Sequence, residues 1–246
     1  MAKPAILWHT FGIMGGKKTL VFLHGWGVSS KIFEPLFQGL KSDYLIYAPD
    51  LPGFGGEPIE KAMNLKDYAE WVYEFLKNKN IENPVIVGHS FGGAVAARLA
   101  LLHPERVSKL VLAGAAAIRR PGPKTKFIRK LSGILSPFVP DKWRRILIKI
   151  LKLEKSDYAQ IENLLLKETF KTVISEDLTP LLNSLSAPTL VIWGEKDEET
   201  PLEEGRLIAG SIPNARLEII KSAGHFMFLE KPEEFIKLIK NFSDNI

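Results

Sequence analysis

Gly88-His89-Ser90-Phe91-Gly92 is the stretch of this chain whose residue types and spacing point most directly to chemistry. A glycine on each side of a serine lets the backbone turn sharply from strand into helix and lifts the hydroxyl clear of both. The apolar run Pro84-Val85-Ile86-Val87 precedes the motif and the small-residue run Gly93-Ala94-Val95-Ala96-Ala97 follows it, so both flanking elements are present. A serine hydroxyl is a weak nucleophile and needs a base to take its proton as it attacks. Ser222-Ala223-Gly224-His225 offers a histidine directly after the last apolar run. That histidine in turn needs a buried carboxylate to fix its tautomer and stabilise its charged form. Trp193-Gly194-Glu195-Lys196-Asp197 supplies Asp197 after the preceding run, with Glu195, Glu198 and Glu199 as acidic neighbours that could be confused with it. The oxyanion of an attacked carbonyl also needs N–H donors. The backbone N–H of Phe91, next to the serine, is one candidate, and that of Trp26 in His24-Gly25-Trp26-Gly27 is the other.

The elements that must position these residues are legible as short apolar runs. Residues 5–11 and 19–24 read as strands joined by the Gly15-Gly16 turn, and 44–49 as a strand leading into Asp50-Leu51-Pro52-Gly53-Phe54-Gly55. Within 64–79, Leu65, Ala69, Val72 and Leu76 recur at the helical period. Residues 85–88 form the next strand, and 90–102 a helix ended by His103-Pro104; further runs follow at 109–113, 189–193 and 217–220. Continuous rather than alternating apolarity suits parallel strands covered on both faces. The order therefore predicts an α/β fold, a doubly wound and mostly parallel sheet. Gly53-Phe54-Gly55-Gly56 leads into no helix, so a nucleotide-binding reading of that loop is poor.

Between residues 117 and 187 the strand rhythm stops, a gap too long for an ordinary connection. It predicts a helical cap inserted at 117–187 over the carboxyl edge of a core made of 1–116 and 188–246. The net charge of +5 belongs to this segment: residues 117–183 hold 14 Lys and Arg against 7 Asp and Glu, a surplus of +7, which leaves the remainder at −2. Within it, Trp143, Ile146, Leu147, Ile150 and Leu151 share one helical face, with Lys142, Arg144, Arg145, Lys149 and Lys152 mostly on the other. Such a helix can cover a pocket while its cations meet water. It can also dock an acidic carrier protein, or adsorb to anionic lipid. Nucleic acid is set aside because no recognised binding motif accompanies the charge.

At 246 residues and 46% hydrophobic content, the chain can bury a sizeable core. With no cysteine it has neither disulfides nor thiolate metal ligands, and its histidines lie in unrelated segments, so neither a metal nor another cofactor is expected. His9, His24, His89 and His103 read as structural, His24 bracing the oxyanion loop, and Asp50 as a residue that ties loops together. The opening Met1-Ala2-Lys3-Pro4 lacks the apolar core of a secretion signal, and no run approaches the roughly 18 apolar residues of a membrane span. A cytoplasmic protein is the expectation.

Five segments taken together, His24-Gly25-Trp26-Gly27, Asp50 to Gly55, Gly88 to Gly93, Trp193-Gly194-x-x-Asp197 and Gly224-His225, resemble the α/β-hydrolase superfamily, whose chain order Ser…Asp…His is met here by Ser90, Asp197 and His225. Some members carry the acid one strand earlier, but that loop reads Gly114-Ala115-Ala116-Ala117 here and offers no carboxylate. Within the superfamily the chain looks most like the pimeloyl-acyl-carrier-protein methyl ester esterases and related small carboxylesterases. Those enzymes often have Trp before the serine, where this chain has His89. The resemblance implies a serine carboxylesterase acting on short-to-medium acyl esters, with an acidic acyl carrier protein as a partner for the basic cap. A carbon–carbon bond hydrolase, a lysophospholipase or monoacylglycerol lipase, and a non-enzymatic ligand receptor on the same fold remain alternatives. Haloalkane dehalogenases and epoxide hydrolases are excluded because they place an aspartate where Ser90 stands.

Overall fold

Each apolar run sends its side chains alternately to two covered faces, which is why the runs read as continuous. In β2 (Thr19–Leu23), Leu20 and Phe22 pack on one side of the sheet and Val21 and Leu23 on the other, all fully buried. The same division holds in β4 (Val85–His89) and β6 (Thr189–Gly194), where Val87 and Ile192 face one side and Ile86 and Trp193 the other. The computed structural model describes residues 8–11, 18–119 and 164–244. In it these strands join β1 (Trp8–Phe11), β3 (Leu45–Pro49), β5 (Lys109–Ala113) and β7 (Ala215–Ile220) in one seven-stranded sheet of order β1-β3-β2-β4-β5-β6-β7. β1 runs antiparallel to β3, and every other neighbouring pair is parallel, giving the doubly wound α/β sheet expected from the sequence. The chain moves outward from β2 to β3 and then crosses back to β4, so the order reverses beside β2, where open α/β sheets leave a crevice at their strand ends.

Helices cover both faces. α1 (Glu34–Leu40), α6 (Met227–Glu230) and α7 (Pro232–Asp244) pack Phe37, Phe228 and Phe235 on the side of Phe22. α2 (Leu65–Asn78), α3 (Phe91–Leu102) and α5 (Leu202–Ser211) pack Val72, Val95 and Ile208 on the other. α2 starts where the sequence provides a capping box: Asp67 N–H donates to Asn64 Oδ1 at 2.8 Å and Asn64 N–H to Asp67 Oδ2 at 3.0 Å. Its predicted stripe, Leu65, Ala69, Val72 and Leu76, is fully buried.

The starts of α3 and β7 differ from the sequence expectation. α3 begins at Phe91 rather than residue 90, because Ser90 takes φ 53° and ψ −118°, outside the helical region. β7 starts at Ala215, two residues early; it is an edge strand with one half-exposed face, so Arg216 and Glu218 break the apolar run without breaking the ladder. The pairing of β1 with β3 covers Trp8–Phe11, while residues 5–7 and the Gly15-Gly16 turn lie outside the described residues.

Of the segment between β5 and β6, residues 114–119 and 164–188 are described. α4 (Leu164–Val173) packs against the loops that follow β2 and β3, with Phe170 5.0 Å from Trp26 and Thr169 Oγ1 accepting from Met63 N–H at 2.9 Å. Arg119 ties its two ends together, its guanidinium donating to the carbonyls of Ala116, Ile118 and Val173 at 2.9 Å. The basic helix with Arg144, Arg145 and Lys149 lies outside the described residues. Among the described residues no helix is long and apolar enough to cross a membrane.

The turn from β4 into α3 leaves no room for side chains at its glycines. A Cβ on Gly92 would collide with the carbonyl oxygens of Leu23 and His24, and one on Gly88 with the backbone of Gly92 and Gly93. Backbone cannot move aside as a flexible side chain can. Gly92→Ala should therefore destabilise the fold by about 1–3 kcal/mol or more, read as a lower urea midpoint at unchanged m-value.

Candidate active site

Ser90 is the single residue between β4 and α3, and its left-handed φ of 53° is a conformation that costs a side-chain-bearing residue about 1–3 kcal/mol. Backbone hydrogen bonds hold it there. Its N–H donates to Ala113 at the end of β5, and its carbonyl accepts from Gly93, Ala94 and Ala116. The side chain sits at the surface of a crowded place, with the residue only 5% exposed. Phe91 is the first residue of α3, so its N–H has no carbonyl one turn earlier to bond and points from the positive end of a 12-residue helix.

Asp197 and His225 meet on the neighbouring strand ends. Asp197 follows β6 and His225 follows β7, and Nδ1 of the imidazole lies 2.8 Å from Oδ2 of the carboxylate. The other carboxylate oxygen accepts from the N–H groups of Glu199 and Thr200, each at 2.9 Å. The Thr200 hydroxyl donates to Oδ2 at 2.9 Å and stands 3.2 Å from Nδ1 of His225. The far nitrogen of the ring, Nε2, lies 3.7 Å from a carboxylate oxygen of Glu199. Behind the ring, both oxygens of Glu230 accept from Gly224 N–H, at 3.2 and 3.0 Å.

The serine and histidine segments are joined directly. His89, the residue before Ser90, donates from Nε2 to the backbone carbonyl of His225 at 3.0 Å, and the two rings lie 4.7 Å apart. The loop after β2 closes the third side: a Cβ on Gly25 would stand 3.3 Å from Ser90 Cβ. His24 braces that loop. Its Nδ1–H donates to Gly25 O at 2.8 Å, and its Nε2 accepts from Leu51 N–H at 2.9 Å, which fixes one neutral tautomer. Asp50 ties the next loop, accepting from the N–H and hydroxyl of Ser30 at 2.8 and 2.6 Å and from Gly56 N–H at 3.2 Å. Trp26, whose backbone N–H is the second oxyanion candidate, packs its indole 4.8 Å from Phe54, 5.3 Å from Phe91 and 5.0 Å from Phe170. The result is an aromatic wall beside Ser90.

Residues 20–238 match the model of the alpha/beta hydrolase family. The chain belongs to that family. The pimeloyl-[acyl-carrier protein] methyl ester esterase of Edwardsiella ictaluri is 27% identical over 262 residues, an alignment covering 98% of each chain. A 2-hydroxy-6-oxononadienedioate/2-hydroxy-6-oxononatrienedioate hydrolase of Cupriavidus pinatubonensis is 30% identical, over 94% of this chain and 88% of its own. Among solved structures, an N-acyl homoserine lactone degrading enzyme superposes with a TM-score of 0.78 at 26% identity, over 96% of both chains. The relatives are hydrolases, and so is this chain.

In this hydrolase, Thr200, Glu230 and the Glu199 side chain stand at the site without having been singled out as members of it. Each left a trace in the sequence. Thr200 follows Asp197 at the three-residue spacing over which an aspartate bonds a nearby backbone N–H. Glu230 is a charge closing the apolar run Phe226 to Leu229. Glu199 was visible only as a rival of Asp197, and the structure gives the two carboxylates opposite ends of one ring.

These contacts set the charge of His225. Burial pulls its pKa down, but attraction and a hydrogen bond from Asp197, aided by Glu199 and Glu230, outweigh burial and leave it above the ordinary histidine value of 6.5. The folded imidazole thus holds its proton more tightly than the unfolded one. That contribution to stability is complete below about pH 6.5 and fades as pH rises through the folded-state value. Asp197→Asn should bring the His225 titration midpoint down, measured by imidazole ¹H–¹⁵N correlation across pH 4–9.

Proposed function

We propose that this hydrolase is a serine carboxylesterase working through Ser90, His225 and Asp197, with 117–187 as a lid over the site. The observation that carries the reading is the buried Asp197–His225 pair, 2.8 Å apart, on the same sheet edge as the strained turn at Ser90. Ser90 Oγ attacks the ester carbonyl as His225 Nε2 takes its proton. The imidazolium formed is stabilised by Asp197 at Nδ1. The N–H groups of Phe91 and Trp26 receive the oxyanion. His225 then gives its proton to the departing alcohol, and the acyl group stays on Ser90. Water enters and attacks the acyl carbon as it loses a proton to the same Nε2; that proton passes to Ser90 Oγ as the bond to the serine breaks and the acid leaves.

The aromatic wall of Trp26, Phe54, Phe91 and Phe170 supports an apolar acyl group of short to medium length. Ser90→Ala should lower kcat on p-nitrophenyl butyrate by roughly 10⁴–10⁶ while the fold is kept. Near-normal turnover by that variant would end the proposal. A carbon–carbon bond hydrolase would use the same serine, as the 30% identical relative from Cupriavidus suggests, and is distinguished by turning over dienedioates faster than esters.

The +7 surplus of residues 117–183 and the relatives named for a carrier-linked methyl ester support an acidic acyl carrier protein as the vehicle of the substrate. Reversing the charge of Arg144, Arg145 and Lys149 should lower kcat/KM on a carrier-linked ester and spare p-nitrophenyl butyrate. An equal response of both substrates would remove the carrier protein from the reading.

A further inference from the structure

Thr200, in the loop after β6, has its backbone held on both sides. Its N–H donates to Oδ1 of Asp197 at 2.9 Å, and its carbonyl accepts from the indole N–H of Trp193 at 2.7 Å. The residue is 3% exposed, and a branched Cβ leaves such a side chain few rotamers. The fold therefore aims the hydroxyl. It stands 2.9 Å from Oδ2 of Asp197, 3.2 Å from the carbonyl of Gly114 and 3.2 Å from Nδ1 of His225. We infer that Thr200 is a positioning residue acting through Asp197: its hydroxyl shares Oδ2 with the Nδ1–H of His225, weakens the hold of the carboxylate on that proton, and so keeps the imidazole available as a base near neutral pH. The inference takes its use from the esterase reading above, and its geometry stands apart from that reading.

A hydroxyl has one hydrogen, and two acceptors compete for it here. Oδ2 is both the nearer and the charged one, and hydrogen bonds to ionised acceptors are the stronger kind. The hydrogen therefore goes to Asp197 rather than to Gly114. Each donor on a carboxylate oxygen draws off part of the charge that the next donor meets. The ring is thus held less firmly than by a carboxylate with Oδ2 to itself. The restraint matters because of what surrounds the ring. Burial lowers the pKa of His225, but Asp197, Glu199 and Glu230 together carry it above 6.5. His89, kept neutral by burial, adds no charge. An imidazole that is already protonated cannot take the serine proton. All four of these neighbours are unchanged in variants of Thr200, so a comparison between variants isolates the hydroxyl.

The test follows the His225 titration by imidazole ¹H–¹⁵N correlation and the acid limb of kcat/KM on p-nitrophenyl butyrate. Thr200→Val keeps the shape and removes the hydroxyl. Both midpoints should rise by about 0.5–1 pH unit, the equivalent of one net hydrogen bond. Well below the limb kcat/KM then falls about three- to tenfold, while the plateau above it stays within about twofold. Thr200→Ser keeps the donor and should hold both midpoints within about 0.2 unit of wild type. A hydroxyl that only packs, or one that donates to Gly114 and accepts from Nδ1–H, predicts the reverse: its loss frees the ring's proton and both midpoints fall. Thr200→Cys, whose S–H is a weak donor, gives the same reading should the valine variant fold poorly. A midpoint that falls or does not move in a folded variant, or a serine variant that moves with it, overturns the inference and leaves the esterase reading standing. If the wild type hydrolyses no ester, the esterase reading falls, and the titration still decides whether the hydroxyl restrains the ring.

Discussion

A carboxylate with no access to water must be met on both oxygens, and much of the site follows from how that is done for Asp197. A buried ionised group without partners costs several kcal/mol. Here the turn after β6 folds back so that the N–H groups of Glu199 and Thr200 meet one oxygen, while the Thr200 hydroxyl and the His225 ring meet the other. The same bonds that satisfy the charge aim the imidazole. With Nδ1 committed to Asp197, Nε2 is left to face Glu199. Satisfying one charge therefore fixes a tautomer, a ring orientation and the position of a second carboxylate.

Backbone crowding at β4 and α3 is the second constraint, and it is steric rather than electrostatic. Gly92 lies against the carbonyls of Leu23 and His24, so the helix can start this close to β2 only without a Cβ there. That closeness puts Ser90 in its left-handed conformation and brings the N-terminus of α3 beside the loop carrying Trp26. The two constraints are linked through His89, which donates to the carbonyl of His225. Movement at either end is felt at the other through a bond that neither Ser90 nor the His225 ring makes itself.

The sheet and the residues proposed to react stood out in the sequence for separate reasons. A parallel strand covered on both faces is apolar at every position, so β2, β4, β5 and β6 stood out, whereas edge strand β7 hid its first residues behind Arg216. The serine was marked by glycines that steric crowding demands, and the histidine by its place after the final strand. Thr200, Glu199 and Glu230 were obscured because their parts depend on which way a side chain turns within a short loop. An acidic run such as Glu195-Lys196-Asp197-Glu198-Glu199 has no internal signal for that direction. Trp26 was read for its backbone alone; its indole packs on Phe54 of the loop after β3, Phe91 of α3 and Phe170 of α4, three elements remote from it in sequence.

Three buried histidines surround this site, and burial alone would drive all three to the neutral form. It does so for His24 and His89, whose ring nitrogens bond backbone carbonyls or an N–H group. A neutral imidazole satisfies such partners without carrying charge. His225 has the same burial but a carboxylate at each end of its ring, and its pKa moves the other way. The partners decide the sign, not the depth. Two of the rings therefore serve as fixed hydrogen-bonding braces across the pH range in which the third can gain and lose a proton, and the proposed mechanism, which moves one proton at one atom, gains from having the neighbouring imidazoles unable to compete for it.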